Sequence, residues 1–178
     1  MASLIRIFAL SSVFGCSIAS ALERYYLTAT AIVNTPDNFS TLQCWNLTTP
    51  FVPNTLHGTE QGAIKMTIGD VTNVTYFSRP PHEDYGLHTA PYAQLVVFMS
   101  GLADISLPRS PEHAIVLGGQ NGLIFAMDTV GEGHYISYSS NEPTVGLMIP
   151  LTDGKAPEHV VIEDGKGCGF PQQVVKSG

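Results

Sequence analysis

Two histidines stand among residues whose types and spacing can do chemistry. His88 opens the run His88-Thr89-Ala90-Pro91-Tyr92-Ala93-Gln94, and six residues later comes Gly101. His134 closes the run Thr129-Val130-Gly131-Glu132-Gly133-His134. An imidazole titrates near neutral pH, so either ring suits general acid or base work, and its neutral nitrogen also ligates divalent metals. Gln94 offers an amide, whose oxygen is a poorer metal ligand than a carboxylate. The segment just upstream, Pro80 to Leu87, holds His82, Glu83, Asp84 and Tyr85. There Glu83 or His82 could add ligands and Tyr85 could act as an acid, or the stretch could be a solvated loop. Arg79 could face an anionic group or lie on the surface, and Asp128 could orient His134 or simply form a turn. His57, His113 and His159 read as surface residues. The chain has no phosphate loop ending in Lys-Ser/Thr, no Gly-x-Ser-x-Gly and no His-Glu-x-x-His.

The elements that must position these groups read as strands. Residues 25–33, 93–99, 102–107, 114–118, 122–128, 134–138 and 144–150 are apolar, aromatic or β-branched, and 63–77 alternates. Turn residues such as Pro108, Gly118-Gly119, Asn121-Gly122 and Asn141 punctuate the series. Ser100-Gly101 reads as a hairpin turn between two of the strands. No stretch carries a helical stripe over three turns. Short strands at this spacing predict an all-β sandwich or barrel. Segment 34–60 reads as loop, and the chain after Lys155 as a polar, Gly-rich tail.

The His88 run resembles the first motif of the cupins, His, x, His, then Glu and Gly at set intervals. Every interval matches, with Ala90 in place of the second His and Gln94 in place of Glu. The His134 run resembles their second motif, with Gly122 upstream one residue beyond the family spacing. The two together are similar to a branch of small cupins carrying His-x-Ala-Pro-x-x-Gln, especially small secreted cupin-like proteins of filamentous fungi. The likeness covers roughly residues 60–160.

The resemblance implies a single double-stranded β-helix, or jelly roll. In it His88 and Ala90 point into the barrel together and His134 faces them from a neighbouring strand. It divides the chain into an N-terminal strand and loop segment at 22–60, a cupin-like barrel at 61–160 and a tail at 161–178. Metal cupins bind Mn, Fe, Ni or Zn through three His and a carboxylate. Here His88 and His134, with the Gln94 oxygen and waters, are the candidate metal ligands, or else a hydrogen-bonded polar cluster. His88, His134 and Gln94 are the candidate catalytic residues, and Tyr85, Tyr92 and Phe98 the candidate substrate contacts. The implied function is a small tailoring enzyme of cyclase, isomerase or dehydratase type acting on a hydrophobic secondary metabolite. The alternatives are a metal-dependent dioxygenase using His88 and His134, and a non-catalytic ligand-binding or effector protein. A homodimer is a family-level expectation.

The rest of the sequence bears on compartment and partners. Residues 1–21 have Arg6, an apolar stretch and Ala19-Ser20-Ala21, which predicts a signal peptide cut after Ala21 and hence secretion or the secretory pathway. Cys44 and Cys168 then remain, and an oxidising compartment makes one disulfide between them the simplest reading. Asn38, Asn46 and Asn73 each begin an N-glycosylation pattern. The net charge is −7, only 13% of residues are charged and Lys and Arg form no cluster. Such a chain repels phosphate backbones and anionic lipid, so neither nucleic acid nor a membrane surface is an expected partner.

Overall fold

The computed structural model describes residues 24–55, 58, 61–169 and the backbone of 174–176. The signal-peptide expectation and His57 lie outside these residues. The described chain is all-β, with no helix. The strands are β1 (Tyr25–Asn34), β2 (Ser40–Leu47), β3 (Val52–Pro53), β4 (Ile64–Lys65), β5 (Thr75–Arg79), β6 (Glu83–His88), β7 (Gln94–Ser100), β8 (Leu102–Leu107), β9 (Ser110–Leu117), β10 (Leu123–Ala126), β11 (His134–Tyr138), β12 (Thr144–Pro150), β13 (His159–Asp164) and β14 (Val174–Lys176).

Two sheets form the body. The larger runs β13-β2-β1-β10-β7-β12-β5, with β14 added on β1, and the smaller runs β6-β11-β8-β9. From β5 to β12 the pairing is nested, β5 with β12, β6 with β11, β7 with β10 and β8 with β9, all antiparallel. That stretch is therefore one long hairpin folded over on itself between the sheets.

Alternation along the strands builds two cores. Ile32, Leu42, Val96, Phe98 and Ile124 of the larger sheet meet Ala103, Ile105, Val116 and Ile136 of the smaller. The opposite face of the larger sheet carries Ala29, Trp45, Leu95 and Phe125, covered by Met66, Ile68 and Ala156. Each large side chain so buried contributes about 1.5–3 kcal/mol. The disulfide joins Cys44 to Cys168 with Cα atoms 4.6 Å apart and 124 residues between them in sequence. In the loop-entropy picture a closure of that length stabilises by roughly 4–5 kcal/mol.

Several expectations need correcting. Segment 34–60 is not all loop: β2 lies within it and is hydrogen-bonded on both sides, to β1 and β13. The tail likewise contributes β13. Residues 66–74 are not strand; they cross the outer face of the larger sheet as cover. Ser100-Gly101 is no hairpin, because β7 and β8 belong to different sheets. Gly101 is the corner, with φ of 79°, and a Cβ there would lie 2.6 Å from Thr144 Cα. His113 is on the surface as expected, though on strand β9 with its Nδ1 2.9 Å from Asp104 Oδ1, whereas His159 is half-buried and stacks on Trp45 at 3.7 Å. Of the glycosylation asparagines, Asn38 and Asn73 sit in exposed turns. Asn46 is inside the doubly paired β2 with its side-chain oxygen buried.

Candidate functional site

His88 ends β6 and His134 begins β11, and the two are direct cross-strand partners. Their ring centroids are 4.5 Å apart. The chain reaches His134 through a turn in which Gly133 has φ of 87° and a Cβ would come within 2.6 Å of the His88 carbonyl carbon. A side chain at 133 would thus push the two strands apart at the point where the rings meet. The pairing then shifts register between His134 and Ile136, an irregularity of the kind that re-aims side chains.

Each ring is held by its Nδ1. His134 Nδ1 lies 2.7 Å from Asp128 Oδ2, and Asp128 is fully buried. Ser40, from β2, donates to the same oxygen at 2.7 Å. A buried carboxylate facing Nδ1 fixes the tautomer with its proton there and leaves Nε2 with the lone pair. The Asp128 backbone oxygen also accepts from Ala90 N at 3.1 Å, tying the His88 run to the His134 run. His88 Nδ1 lies 2.7 Å from Gly86 O, an acceptor only, so it donates and its Nε2 is free as well. Burial lowers the His88 pKa below its ordinary 6.5, and the neighbouring His134 adds to this; the Gly86 bond works the other way.

Both rings open onto a cavity of about 340 Å³ between the sheets. Its walls are mainly apolar, with Phe77, Val96, Phe98, Ile105, Ile136 and Met148 among them. Ala90 sits beside the rings, so that room remains where a larger side chain would stand. Gln94, at the start of β7, is only 4% exposed, lines the cavity and has no side-chain hydrogen bond among the described residues. Arg79, Tyr85 and Tyr138 also line it. The Arg79 guanidinium lies over the Tyr85 ring, 4.4 Å from its centroid, and Tyr85 meets His88 edge-on at 4.7 Å. Burial pushes the Tyr138 hydroxyl's pKa up, partly offset by Arg79.

The structure thus gathers His88, His134, Gln94, Tyr85 and Phe98 around one space. Tyr92 is not among them. Residues 91–93 form a bend, the strand alternation that puts Ala90 inside is broken, and Tyr92 ends 64% exposed on another surface hollow with Thr72 and Asn73. His82 is also outside, bonded to Asn141 at 3.1 Å. Four contributors carried little sequence signal: Ser40, Asp128, Arg79 and Tyr138. Of these, Asp128 and Arg79 were legible as alternatives; Ser40 and Tyr138 enter only through long-range pairing.

A metal at this pair would be held by the His88 and His134 Nε2 atoms and the Gln94 oxygen, which line the same cavity. Among the described residues no three His, Cys, Asp or Glu side chains gather as a metal site. Asp128 stands behind His134 and is engaged there, and Glu83 pairs with Arg79 at 3.8 Å. A wider, more polar groove of about 610 Å³ lies between β9 and residues 166–169, away from the histidine pair. No helix among the described residues is long and apolar enough to cross a membrane.

No family model matches the chain, and no curated protein is similar enough to count as a relative. Among solved structures it is similar to a conserved protein of unknown function from Streptococcus pyogenes, at 24% identity and a TM-score of 0.33. The match covers 44% of this chain and 61% of that one. At that score nothing about fold or function rests on it.

Proposed function

We propose that the protein is a secreted cupin-like jelly roll that works as a small metal-independent tailoring enzyme. It moves a proton on a hydrophobic molecule held between its sheets, as cyclases, isomerases and dehydratases do. The nested pairing from β5 to β12 supports the jelly-roll reading, since rolling up one long hairpin is how such a fold arises. The disulfide supports the secreted one. The chemistry rests on one observation: two imidazoles 4.5 Å apart face one apolar cavity, each tethered through Nδ1.

In this reading His88, kept neutral by burial, is the base. Its Nε2 takes a proton from a carbon next to a carbonyl or from a hydroxyl. His134 is a second proton carrier: its Nε2 starts with the lone pair, the Asp128 carboxylate gives an imidazolium formed there its counter-charge, and whichever ring takes the proton returns that same proton elsewhere on the substrate. The idle Gln94 amide donates to the oxygen on which charge develops. The apolar walls exclude water and hold the skeleton in place.

The test is α-proton exchange in D2O, followed by mass spectrometry, on a panel of hydrophobic enolisable ketones. Turnover falls at least about 100-fold in His88→Ala and in His134→Ala, while Tyr92→Ala behaves as the parent. Ligand binding with no exchange or conversion in any variant overturns the enzyme and favours the non-catalytic carrier.

A further inference from the structure

Beside the histidines the cavity lining holds a chemistry that the acid–base reading does not use. Arg79, the last residue of β5, lines the cavity with Phe77 and Phe98 beside it. A guanidinium is charged at all working pH values and offers five donors in a planar fork. Its nearest countercharge, Glu83, lies at 3.8 Å, an ion pair too long for a hydrogen bond. Glu83 Oε2 is itself buried with no hydrogen-bond partner. The pair is therefore electrostatic only, and the fork remains uncommitted to Glu83. The Tyr138 hydroxyl, on a side chain only 6% exposed, opens onto the same space. One Arg79 N–H donates to the Tyr138 hydroxyl, so a wholly apolar occupant would leave the rest of the fork and the hydroxyl's own proton desolvated and without an acceptor, which is costly.

We propose that the cavity selects apolar molecules bearing one carboxylate, received by the Arg79 fork and the Tyr138 hydroxyl. This rests on the reading of the cavity as the ligand site. A carboxylate matches the fork in plane and spacing, as a single carbonyl oxygen does not. Arg79, Tyr85, His88 and His134 are linked by successive contacts of 4.4, 4.7 and 4.5 Å. An acid group anchored at Arg79 leaves the apolar skeleton within the same cavity as the two imidazoles. The substrate class is then a hydrophobic carboxylic acid.

The experiment uses the full disulfide-bonded protein and two probes of one shape, 1-naphthoic acid and its methyl ester, titrated calorimetrically at pH 7.5. The acid binds about ten-fold or more tightly than the ester. Arg79→Gln abolishes the preference, and Tyr138→Phe reduces it several-fold. Glu83→Gln removes the competing carboxylate and strengthens acid binding, so the proposal remains testable even if Arg79→Gln does not fold. Equal binding of acid and ester, a preference that survives Arg79→Gln, or weaker acid binding in Glu83→Gln overturns it. Binding of neither probe overturns it together with the reading of the cavity as the ligand site. If His88→Ala and His134→Ala leave turnover unchanged while the acid preference holds, the acid–base function fails and the carboxylate site stands.

Discussion

A histidine lies against each face of the larger sheet, the half-buried His159 of β13 outside and the buried His134 of β11 inside, yet only the inner one opens onto a cavity. On the outer face His159 lies flat on Trp45 at 3.7 Å, with its Nδ1 2.7 Å from Pro157 O, and Trp45 packs on Phe125 at 5.2 Å. On the inner face His134 is tethered just as closely, by Asp128 at 2.7 Å, but in front of it is a cavity instead of a stacked ring. A short Nδ1 bond is common to both. What would separate a packing histidine from a working one, under the proposed function, is open space before Nε2, together with a second imidazole and an idle amide lining that space.

The comparison is broken most sharply at Asp128. Asp128→Asn removes the carboxylate that sets the His134 tautomer, and turnover should drop roughly 10³-fold or more, with ligand binding retained. A drop matched by loss of folding in a denaturant titration would make Asp128 structural and put the two faces on the same footing. Trp45→Ala is the counterpart outside. It should cost about 3–5 kcal/mol in unfolding free energy and leave turnover per folded molecule unchanged.

A pH series sharpens the contrast next. The folded pKa of His88 is depressed below 6.5, chiefly by burial. The neutral ring is thus favoured in the fold, and the stability it contributes is present above pH 6.5 and lost as pH falls through the lowered folded pKa. Catalysis should fail over the same acid range as the base is protonated. Denaturant midpoints from pH 5 to 8 should show a shallower acid-side loss in His88→Ala than in the parent; identical slopes would contradict the assignment. The smallest effect is on the outer histidine: His159→Phe preserves the stacked ring and should change stability by less than about 1.5 kcal/mol and turnover not at all.

Much of the fold is legible in the sequence where strands are apolar and bounded by Gly or Pro. Residues 102–107, 134–138 and 144–150 coincide with β8, β11 and β12. Legibility fails where composition and pairing disagree. β2 carries Gln43, Cys44 and Asn46, which look like loop, but its neighbours β1 and β13 hydrogen-bond it on both edges. Residues 66–74 alternate like a strand because Met66 and Ile68 face the outer core, although that stretch pairs only through an isolated bridge of Val71 to Leu151, just past β12. At the site, the His88 and His134 runs announce themselves by spacing. The role of Asp128 is legible only as one of two alternatives, and its support from Ser40, 88 residues away, is not. Tyr92 misleads because its place in the His88 run does not show which way the bend at 91–93 turns it, and it turns outward.

The central claim is that His88 and His134 share one cavity with both Nε2 atoms free. Long-range ¹⁵N–¹H correlation of the imidazoles at pH 7.5, before and after adding 1-naphthoic acid, tests it directly. The account predicts that both rings carry their proton on Nδ1 and that the probe moves both Nε2 resonances, with those of His113 and His159 unmoved. A proton on Nε2 of His134, or a probe that leaves His88 and His134 undisturbed, would contradict it.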